Sequence, residues 1–191
     1  MTVIVFLAAY LLGSIPNGLI FGRLIWHKDL RRYGSGNLGA TNAWRVIGKP
    51  AGMLIFALDF LKGTLSVLLA QLAVGTPLVM VIAGLLAILG HSRSIFLKFS
   101  GGRGVATGLG VIAVLMPSVT SIVFFAWLVI VLATRYVSLG SIVASILVPI
   151  LALALGYELE FVIFGVIAAA FITIRHKENI IRLLNGSENK I

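Results

Sequence analysis

The chain has 191 residues, of which 60% are hydrophobic and 11% are charged, and its mean hydropathy is +1.11. Too little polar surface is available to keep such a chain in solution, which excludes a soluble enzyme, an RNA-binding domain and a disordered tail. The 15 Lys and Arg against 6 Asp and Glu give a net charge of +9, and no cysteine is present for a disulfide, a thiolate metal site or a nucleophile. We expect an all-α, polytopic membrane helical bundle that forms a single integral membrane domain over residues 1–191.

Apolar segments mark the candidate membrane spans, because a helix needs roughly 17 to 25 apolar residues to cross the hydrocarbon core. The candidates are residues 3–25, 51–73, 78–90, 138–155 and 161–174, together with the longer stretch 105–133. Pro117 lies near the middle of that stretch, where a proline leaves carbonyl groups without partners. We therefore expect a tight turn at Pro117 between two short helices, and seven transmembrane helices in the whole chain.

The charge distribution predicts how these helices are oriented. The loops on one side of the predicted bundle hold thirteen basic residues, namely Lys28, Arg31, Arg32, Arg45, Lys49, Arg93, Lys98, Arg103, Arg135, Arg175, Lys177, Arg182 and Lys190. The opposite loops hold none, and such an excess is typical of cytoplasmic loops. We expect the amino terminus outside, the carboxyl terminus in the cytoplasm, and a site built from residues 26–50, residues 91–104 and the tail from Arg175.

The first inner loop is rich in glycine. Gly34, Gly36 and Gly39 match the pattern GxGxxG, but a dinucleotide site needs a preceding strand and a βαβ unit, and this loop lies between two predicted membrane helices. A glycine-rich backbone adopts positive φ readily and offers N–H groups to an anion. The polar side chains beside it are Ser35, Thr41, Asn42 and Arg45. We favour an anion site here, with a flexible connector as the alternative.

The second inner loop carries Gly101, Gly102, Arg103 and Gly104 immediately before a predicted helix. Helix starts have unpaired N–H groups and the positive end of the helix dipole, so this sequence predicts a phosphate cradle. An anchor for lipid headgroups through Arg103 is the alternative. No GxxxxGK[ST] sequence occurs in the chain, which argues against ATP hydrolysis.

The tail predicts an amphipathic interfacial helix. Arg175, Asn179 and Arg182 share one face at helical spacing, while isoleucines and leucines supply much of the other. Such a surface helix is also able to carry His176 and Asn179 into a site.

Asp59 and Lys62 lie three residues apart in the second predicted span, where ionisable groups are costly and mutual pairing is expected. A structural and a functional role both remain open for this pair. We expect Asp59 to lie too deep in the bilayer to reach a loop histidine, which argues against a Ser-His-Asp triad. Asp29 is the only other aspartate, so we expect no Mg²⁺-binding carboxylate cluster, no other metal site and no cofactor.

An acyltransferase base of the His-x4-Asp type is also missing. Arg32, Phe96 and Ile181 follow the three histidines at the fifth position. The chain thus offers phosphate cradles without an obvious nucleophile or base. This combination suits a donor that is already activated, since positioning and charge neutralisation then supply most of the rate.

Four ordered elements resemble the bacterial acyl-phosphate-dependent glycerol-3-phosphate acyltransferases, the PlsY family. They are the run from Gly34 to Arg45, Asp59-x-x-Lys62-Gly63, Gly90-His91 followed by the run from Gly101 to Thr107, and Arg175-His176-x-x-Asn179-Ile180-x-Arg182. The resemblance covers nearly the whole chain. One departure is that Ser100 and Arg103 stand where the family usually has two lysines, and Arg103 keeps the charge but replaces a point charge by a planar fork.

The resemblance implies transfer of a fatty acyl group from acyl phosphate to the sn-1 hydroxyl of glycerol 3-phosphate, giving lysophosphatidic acid and inorganic phosphate. It implies a multi-pass protein of the bacterial cytoplasmic (inner) membrane with its active site on the cytoplasmic face. Partners are then the two substrates and membrane lipids, without nucleic acid. The implied catalytic residues are Ser35, Arg45, Arg103, His176 and Asn179, and the implied substrate- or phosphate-binding residues are Gly39, Thr41, Asn42, Lys62, Gly101, Gly102 and Gly104.

A small transporter or channel for an anionic metabolite is the alternative function. Such a protein usually places polar groups at the membrane midplane on interrupted helices, often in inverted repeats. Here only Asp59 and Lys62 are expected at that depth, and the sequence shows no internal repeat.

Overall fold

The computed structural model describes residues 1–191, and all of its regular elements are helical. The α-helices are α1 (Thr2–Ser14), α2 (Asn17–Trp26), α3 (Ala40–Val46), α4 (Lys49–Ala73), α5 (Pro77–Ser92), α6 (Val105–Leu115), α7 (Pro117–Thr134), α8 (Val137–Ala154), α9 (Leu159–Arg175) and α10 (Lys177–Leu184). Two short 3₁₀ helices, Leu30–Arg32 and Ile95–Leu97, lie in the loops that follow α2 and α5. The predicted all-α class is therefore confirmed.

Three helices, α4, α7 and α8, are long and apolar enough to cross a membrane. Two bent pairs reach the same length together, α1 with α2 at an angle of 41° and α9 with α10 at 62°. The remaining apolar helices, α5 and α6, are shorter. Length and composition thus give three candidate spans, or up to five with the bent pairs, and each of the seven predicted segments is helical.

Large apolar side chains point outward along these helices. Leu72, Leu132, Leu153 and Ile174 are 70 to 87% exposed. Contiguous apolar surface of this kind is unfavourable in water and favourable against lipid chains.

The first predicted span, residues 3–25, is a bent pair of helices that together are long and apolar enough to cross a membrane. Helix α1 ends at Ser14 and α2 begins at Asn17. Pro16 between them has no N–H and a fixed φ, so the helical hydrogen-bond pattern does not continue through it. The predicted turn at Pro117 is confirmed, because α6 ends at Leu115 and Pro117 is the first residue of α7.

Residue contacts group the chain into two compact units, Met1–Val111 and Ile112–Ile191. In the first unit, α1 packs against α4 and α5, and α4 also contacts α3 and α5. Close approach of α1 and α5 depends on glycine, because a Cβ atom on Gly13 would collide with the backbone of Ala87. In the second unit, α8 packs against both α7 and α9. One domain over residues 1–191 stays a prediction.

Candidate active site

The glycine-rich loop after α2 is held at its start by an ion cluster. The Asp29 carboxylate lies 2.6 Å from Nη2 of Arg23 and 2.7 Å from Nη2 of Arg31, and it accepts the backbone N–H of Arg31. Hydrogen bonding to Arg31, supported by Arg23, outweighs partial burial and holds the pKa of Asp29 well below its usual range. Asp29 is therefore ionised at neutral pH and caps the turn Leu30–Arg32.

Asn42 fixes the rest of this loop from helix α3. Its side-chain nitrogen donates to the carbonyl oxygens of Leu30, Tyr33 and Asn37 at 3.3, 3.1 and 2.9 Å. Its side-chain oxygen accepts the backbone N–H of Ser35 at 3.0 Å. Asn42 is 2% exposed, so these hydrogen bonds are protected from water. The buried amide thus determines the conformation of residues 30–37.

The predicted site residues of the first loop lie on and around this set of Asn42 hydrogen bonds, which we call the Asn42 clamp. Gly34 and Gly36 have positive φ, as the sequence predicts, at 59° and 69°. Ser35 is exposed between them, while Thr41 and Arg45 are half-buried on α3. Gly39 precedes the first residue of α3, and its N–H is held by the side-chain oxygen of Asn37 at 2.8 Å.

The second glycine-rich loop follows a closed turn. The N–H of Ser94 donates to the carbonyl of Ser100 at 3.2 Å, and the N–H of Phe99 donates to the carbonyl of Ser94 at 2.8 Å. Gly102 then donates its N–H to the carbonyl of His91 at 3.1 Å. Gly104 has a positive φ of 86° immediately before α6, so Arg103 lies between a fixed glycine pair and a helix start.

Asp59 and Lys62 form the ion pair that their spacing predicts, with 2.9 Å between Nζ of Lys62 and Oδ1 of Asp59. The expectation that Asp59 lies beyond the reach of a histidine is wrong, because Nδ1 of His91 lies 3.6 Å from the same oxygen. His91 is in the last turn of α5 rather than in a loop, and α5 packs against α4. Asn17 also donates to this carboxylate, at 3.0 Å.

The predicted tail residues lie in the second unit. His176 and Asn179 are 2% and 3% exposed, at the start of α10. Nδ1 of His176 lies 2.8 Å from the Ile172 carbonyl. A carbonyl only accepts, so Nδ1 of His176 carries a proton and donates to Ile172. The tail helix α10 itself confirms the helical prediction, although it begins at Lys177.

Glu188 organises this tail. Its carboxylate accepts from Ser138 Oγ at 2.9 Å, from Asn179 Nδ2 at 2.6 Å and from Arg182 Nε at 2.8 Å. Burial opposes the charged form, but these three donors outweigh it and hold the pKa of Glu188 below its ordinary value. The buried side-chain oxygen of Asn179 has no hydrogen-bond partner, while Glu188 fixes the amide through its nitrogen.

The structure brings some predicted residues together. Lys62, Gly101 and Gly102 line one cavity with Asp59 and His91, and Ser35 is joined to Asn42. Sequence reasoning missed Asn17, His91 as a partner of Asp59, and Glu188. A usable signal existed for Glu188, since the chain has only 6 acidic residues and each one is conspicuous in so apolar a sequence.

The fold and these polar groups define an integral membrane protein with glycine-rich turns and cationic side chains suited to anionic ligands. The chain belongs to the glycerol-3-phosphate acyltransferase family, whose model matches residues 3–186. The resemblance drawn from the four motifs is thus confirmed.

Relatives from several bacteria are similar over the full chain. The glycerol-3-phosphate acyltransferase of Syntrophomonas wolfei is 47% identical over 95% of this chain and 93% of its own. Glycerol-3-phosphate acyltransferase 2 of Moorella thermoacetica is 45% identical over 100% of this chain and 98% of its own. Identity at this level and coverage is consistent with one shared fold.

Two crystal structures of PlsY, an integral membrane glycerol 3-phosphate acyltransferase, are similar to this chain. The glycerol 3-phosphate form is 43% identical with a TM-score of 0.95, and it covers 100% of this chain and 95% of that chain. The lysophosphatidic acid form is 41% identical with a TM-score of 0.92 and the same coverage.

The Asn42 clamp makes a first prediction. Asn42→Asp removes the donor that serves three carbonyl groups, so backbone amides of residues 30–37 should exchange hydrogen about tenfold faster or more. Asn37→Asp is the matched control, because its side chain acts only as an acceptor, for the N–H of Gly39. Hydrogen exchange by mass spectrometry measures both variants, and equal exchange in the two would contradict the clamp.

Glu188→Gln should destabilise the protein by about 1–3 kcal/mol at pH 7, because two buried donors and the partly buried Arg182 lose their shared carboxylate. The lowered pKa means that wild-type Glu188 contributes stability above its unfolded pKa, and that this contribution is lost as pH falls below roughly 4. The wild-type advantage should therefore shrink in acid. Glu178→Gln is the control, since Glu178 is 85% exposed. Thermal unfolding in detergent measures the stability of both variants. A stability difference between wild type and Glu188→Gln that does not depend on pH would rule out stabilisation by the ionised Glu188 carboxylate.

Proposed function

We propose that this chain transfers a fatty acyl group from acyl phosphate to the sn-1 hydroxyl of glycerol 3-phosphate. The observation that carries the proposal is the pair of preorganised glycine turns, one fixed by Asn42 and the other by His91, each followed by an arginine. Membership of an acyltransferase family supports the same reaction. The alternative of a transporter for an anionic metabolite has no comparable support.

The reaction balances without a further reactant. The hydroxyl oxygen attacks the acyl carbonyl carbon, an ester C–O bond forms, and the bond from that carbon to the phosphate oxygen breaks. The hydroxyl proton passes to a phosphate oxygen, so the products are lysophosphatidic acid and inorganic phosphate. No metal or cofactor enters this scheme. Phosphate is already a good leaving group, so orientation and charge neutralisation supply most of the rate.

Two arginines neutralise the phosphates in this scheme. Arg45, in the last turn of α3, binds the phosphate of the acceptor, and Arg103 binds that of the donor. The turn formed by Gly101, Gly102 and Gly104 holds the leaving phosphate through backbone N–H groups other than that of Gly102, which donates to the His91 carbonyl. Lys62 lies in the wall of the same cavity as the glycine pair, with its charge paired to Asp59. The first loop supplies further polar contacts from Ser35, Gly39, Thr41 and Asn42.

His176 and Asn179 orient the glycerol hydroxyls. The hydrogen bond from Nδ1 of His176 to the Ile172 carbonyl fixes the orientation of the imidazole ring. The side-chain oxygen of Asn179 is an acceptor, held by the bond from Asn179 to Glu188.

We assign the protein to the cytoplasmic membrane of a bacterium, as one domain with seven spans and its site on the cytoplasmic face. The spans are the bent pair α1 and α2, then α4, α5, α6, α7 and α8, and finally α9, with α10 at the interface. The thirteen basic residues of the loops support this orientation, with the amino terminus outside.

A two-substrate assay tests the function. Protein purified in detergent should release inorganic phosphate and form an equal amount of lysophosphatidic acid from synthetic acyl phosphate and glycerol 3-phosphate. Arg45→Ala should lower kcat/KM by about a hundredfold or more, because it removes the charge that neutralises the acceptor phosphate. Arg32→Ala, at an exposed position of the same inner segment, should retain wild-type rates.

Two results would contradict the proposal. One is a folded Arg45→Ala variant with near-normal turnover, which would remove the assigned role of Arg45. The other is a wild-type protein that uses acyl coenzyme A but not acyl phosphate, which would change the donor.

A further inference from the structure

A buried polar cluster of Asn17, Asp59, Lys62 and His91, the Asp59 cluster, is not used by the proposed reaction scheme as a unit. Asp59 is 3% exposed and receives hydrogen bonds or ion pairs from three different helices, α2, α4 and α5. Charged groups in an apolar helix bundle are costly and are retained where they hold something in place. The contacts of the cluster identify what it holds.

One side of the cluster holds the break between α1 and α2. Nζ of Lys62 donates to the carbonyl of Ile15 at 3.0 Å, and Asn17, the first residue of α2, donates to Asp59. The neighbouring carbonyl of Ser14 accepts a hydrogen bond of 2.5 Å from Ser94 Oγ. Carbonyl groups that the proline break removes from the helical pattern are thus paired by side chains.

The other side of the cluster holds the turn that ends in Gly101 and Gly102. Ser94, which donates to the Ser14 carbonyl at the break between α1 and α2, also starts the closed turn with Ser100. His91, whose ring faces Asp59, accepts the N–H of Gly102 through its carbonyl. The glycine pair is therefore connected to the break through His91 and Ser94.

Contact between His91 and the glycine pair leaves no space for a side chain. A Cβ atom on Gly102 would collide with the imidazole ring of His91, and one on Gly101 would collide with the His91 carbonyl. The ring in turn is positioned by Asp59, 3.6 Å away. The position of His91 thus determines the path of the Gly101–Gly102 backbone.

We infer that His91, held by Asp59, is a positioning residue that sets the Gly101–Gly102 backbone for the phosphate of the acyl donor. This inference rests on the proposed function, in which that glycine pair holds the leaving phosphate. His91 has no contact with the reacting atoms in this role. Its effect is on donor binding, and the acceptor phosphate, assigned to Arg45, is independent of it.

A double-mutant cycle tests the inference. Gly102→Ala pushes the ring aside, whereas His91→Ala removes the ring and opens the space that the new methyl group needs. Each single variant should raise KM for acyl phosphate about tenfold. The double variant should raise it by the same factor of about ten, because the effects of substituting two contacting residues are not additive. KM for glycerol 3-phosphate should stay within about twofold in all three variants. Ile95→Ala, at an exposed position of the same loop, should behave as wild type.

Three results would overturn the inference. The first is a KM for acyl phosphate that is about a hundredfold higher in the double variant, as independent effects require. The second is an unchanged KM for acyl phosphate, and the third is a parallel rise in KM for both substrates. Should Gly102→Ala fail to fold, His91→Ala is compared with Ile95→Ala. Only His91→Ala should then raise KM for acyl phosphate, and neither variant should change KM for glycerol 3-phosphate by more than about twofold.

A second readout separates this inference from the proposed function. Inorganic phosphate should raise the thermal unfolding temperature of the wild-type protein, less so of each single variant, and by the same reduced amount in the double variant. This pattern in a protein that does not use acyl phosphate would sink the proposed function and leave the positioning by His91 standing. Equal stabilisation of all four proteins would overturn the positioning.

Discussion

The ion pair between Asp59 and Lys62 is the interaction on which the first unit depends. The hydrocarbon core of a membrane offers no water to a polar group, so every buried carbonyl and charge needs a partner within the protein. The proline break after α1 takes carbonyl groups out of the helical pattern, and Lys62 donates to the carbonyl of Ile15 while its charge is neutralised by Asp59. The broken helix and the charged pair therefore stabilise one another.

Preorganisation of the proposed site follows from this pairing. A site without a conventional nucleophile gains rate from donors that are already in position, because no reorganisation is then needed during the reaction. The two glycine turns fulfil this condition in different ways. Asn42 holds the first by side-chain hydrogen bonds to its backbone, and His91 holds the second by its carbonyl and ring. Rigid turns allow glycine, the most flexible residue, to serve as a binding element.

Much of the architecture is predictable because apolar length and charge asymmetry are strong signals in a membrane protein. The sequence predicts the helical class, the turn at Pro117, the positive φ angles of Gly34 and Gly36, and the pairing of Asp59 with Lys62. The break at Pro16 is missed because apolar residues continue on both sides of it, and hydropathy reads only composition.

The contact of His91 with Asp59 is missed for another reason. The apolar segment ends at Gly90, which places His91 in a loop, whereas α5 extends to Ser92 and carries the ring towards α4. Helix ends are the least certain part of a sequence reading, and a shift of one turn changes which side chains meet. The hydrogen bonds of Glu188 join residues up to 50 positions apart in the chain, and sequence periodicity does not predict such contacts.

The central claim is that the protein handles both phosphates at the cytoplasmic face of the membrane, and the absence of cysteine makes this directly measurable. Single cysteines at the exposed positions 28 and 118 mark the loop after α2 and the first turn of α7. In intact cells, a membrane-impermeant maleimide should label the Ser118→Cys protein, and it should label the Lys28→Cys protein only after the membrane is opened. Labelling of Lys28→Cys from the outside, with Ser118→Cys protected, would place the glycine turns on the wrong face and contradict the account.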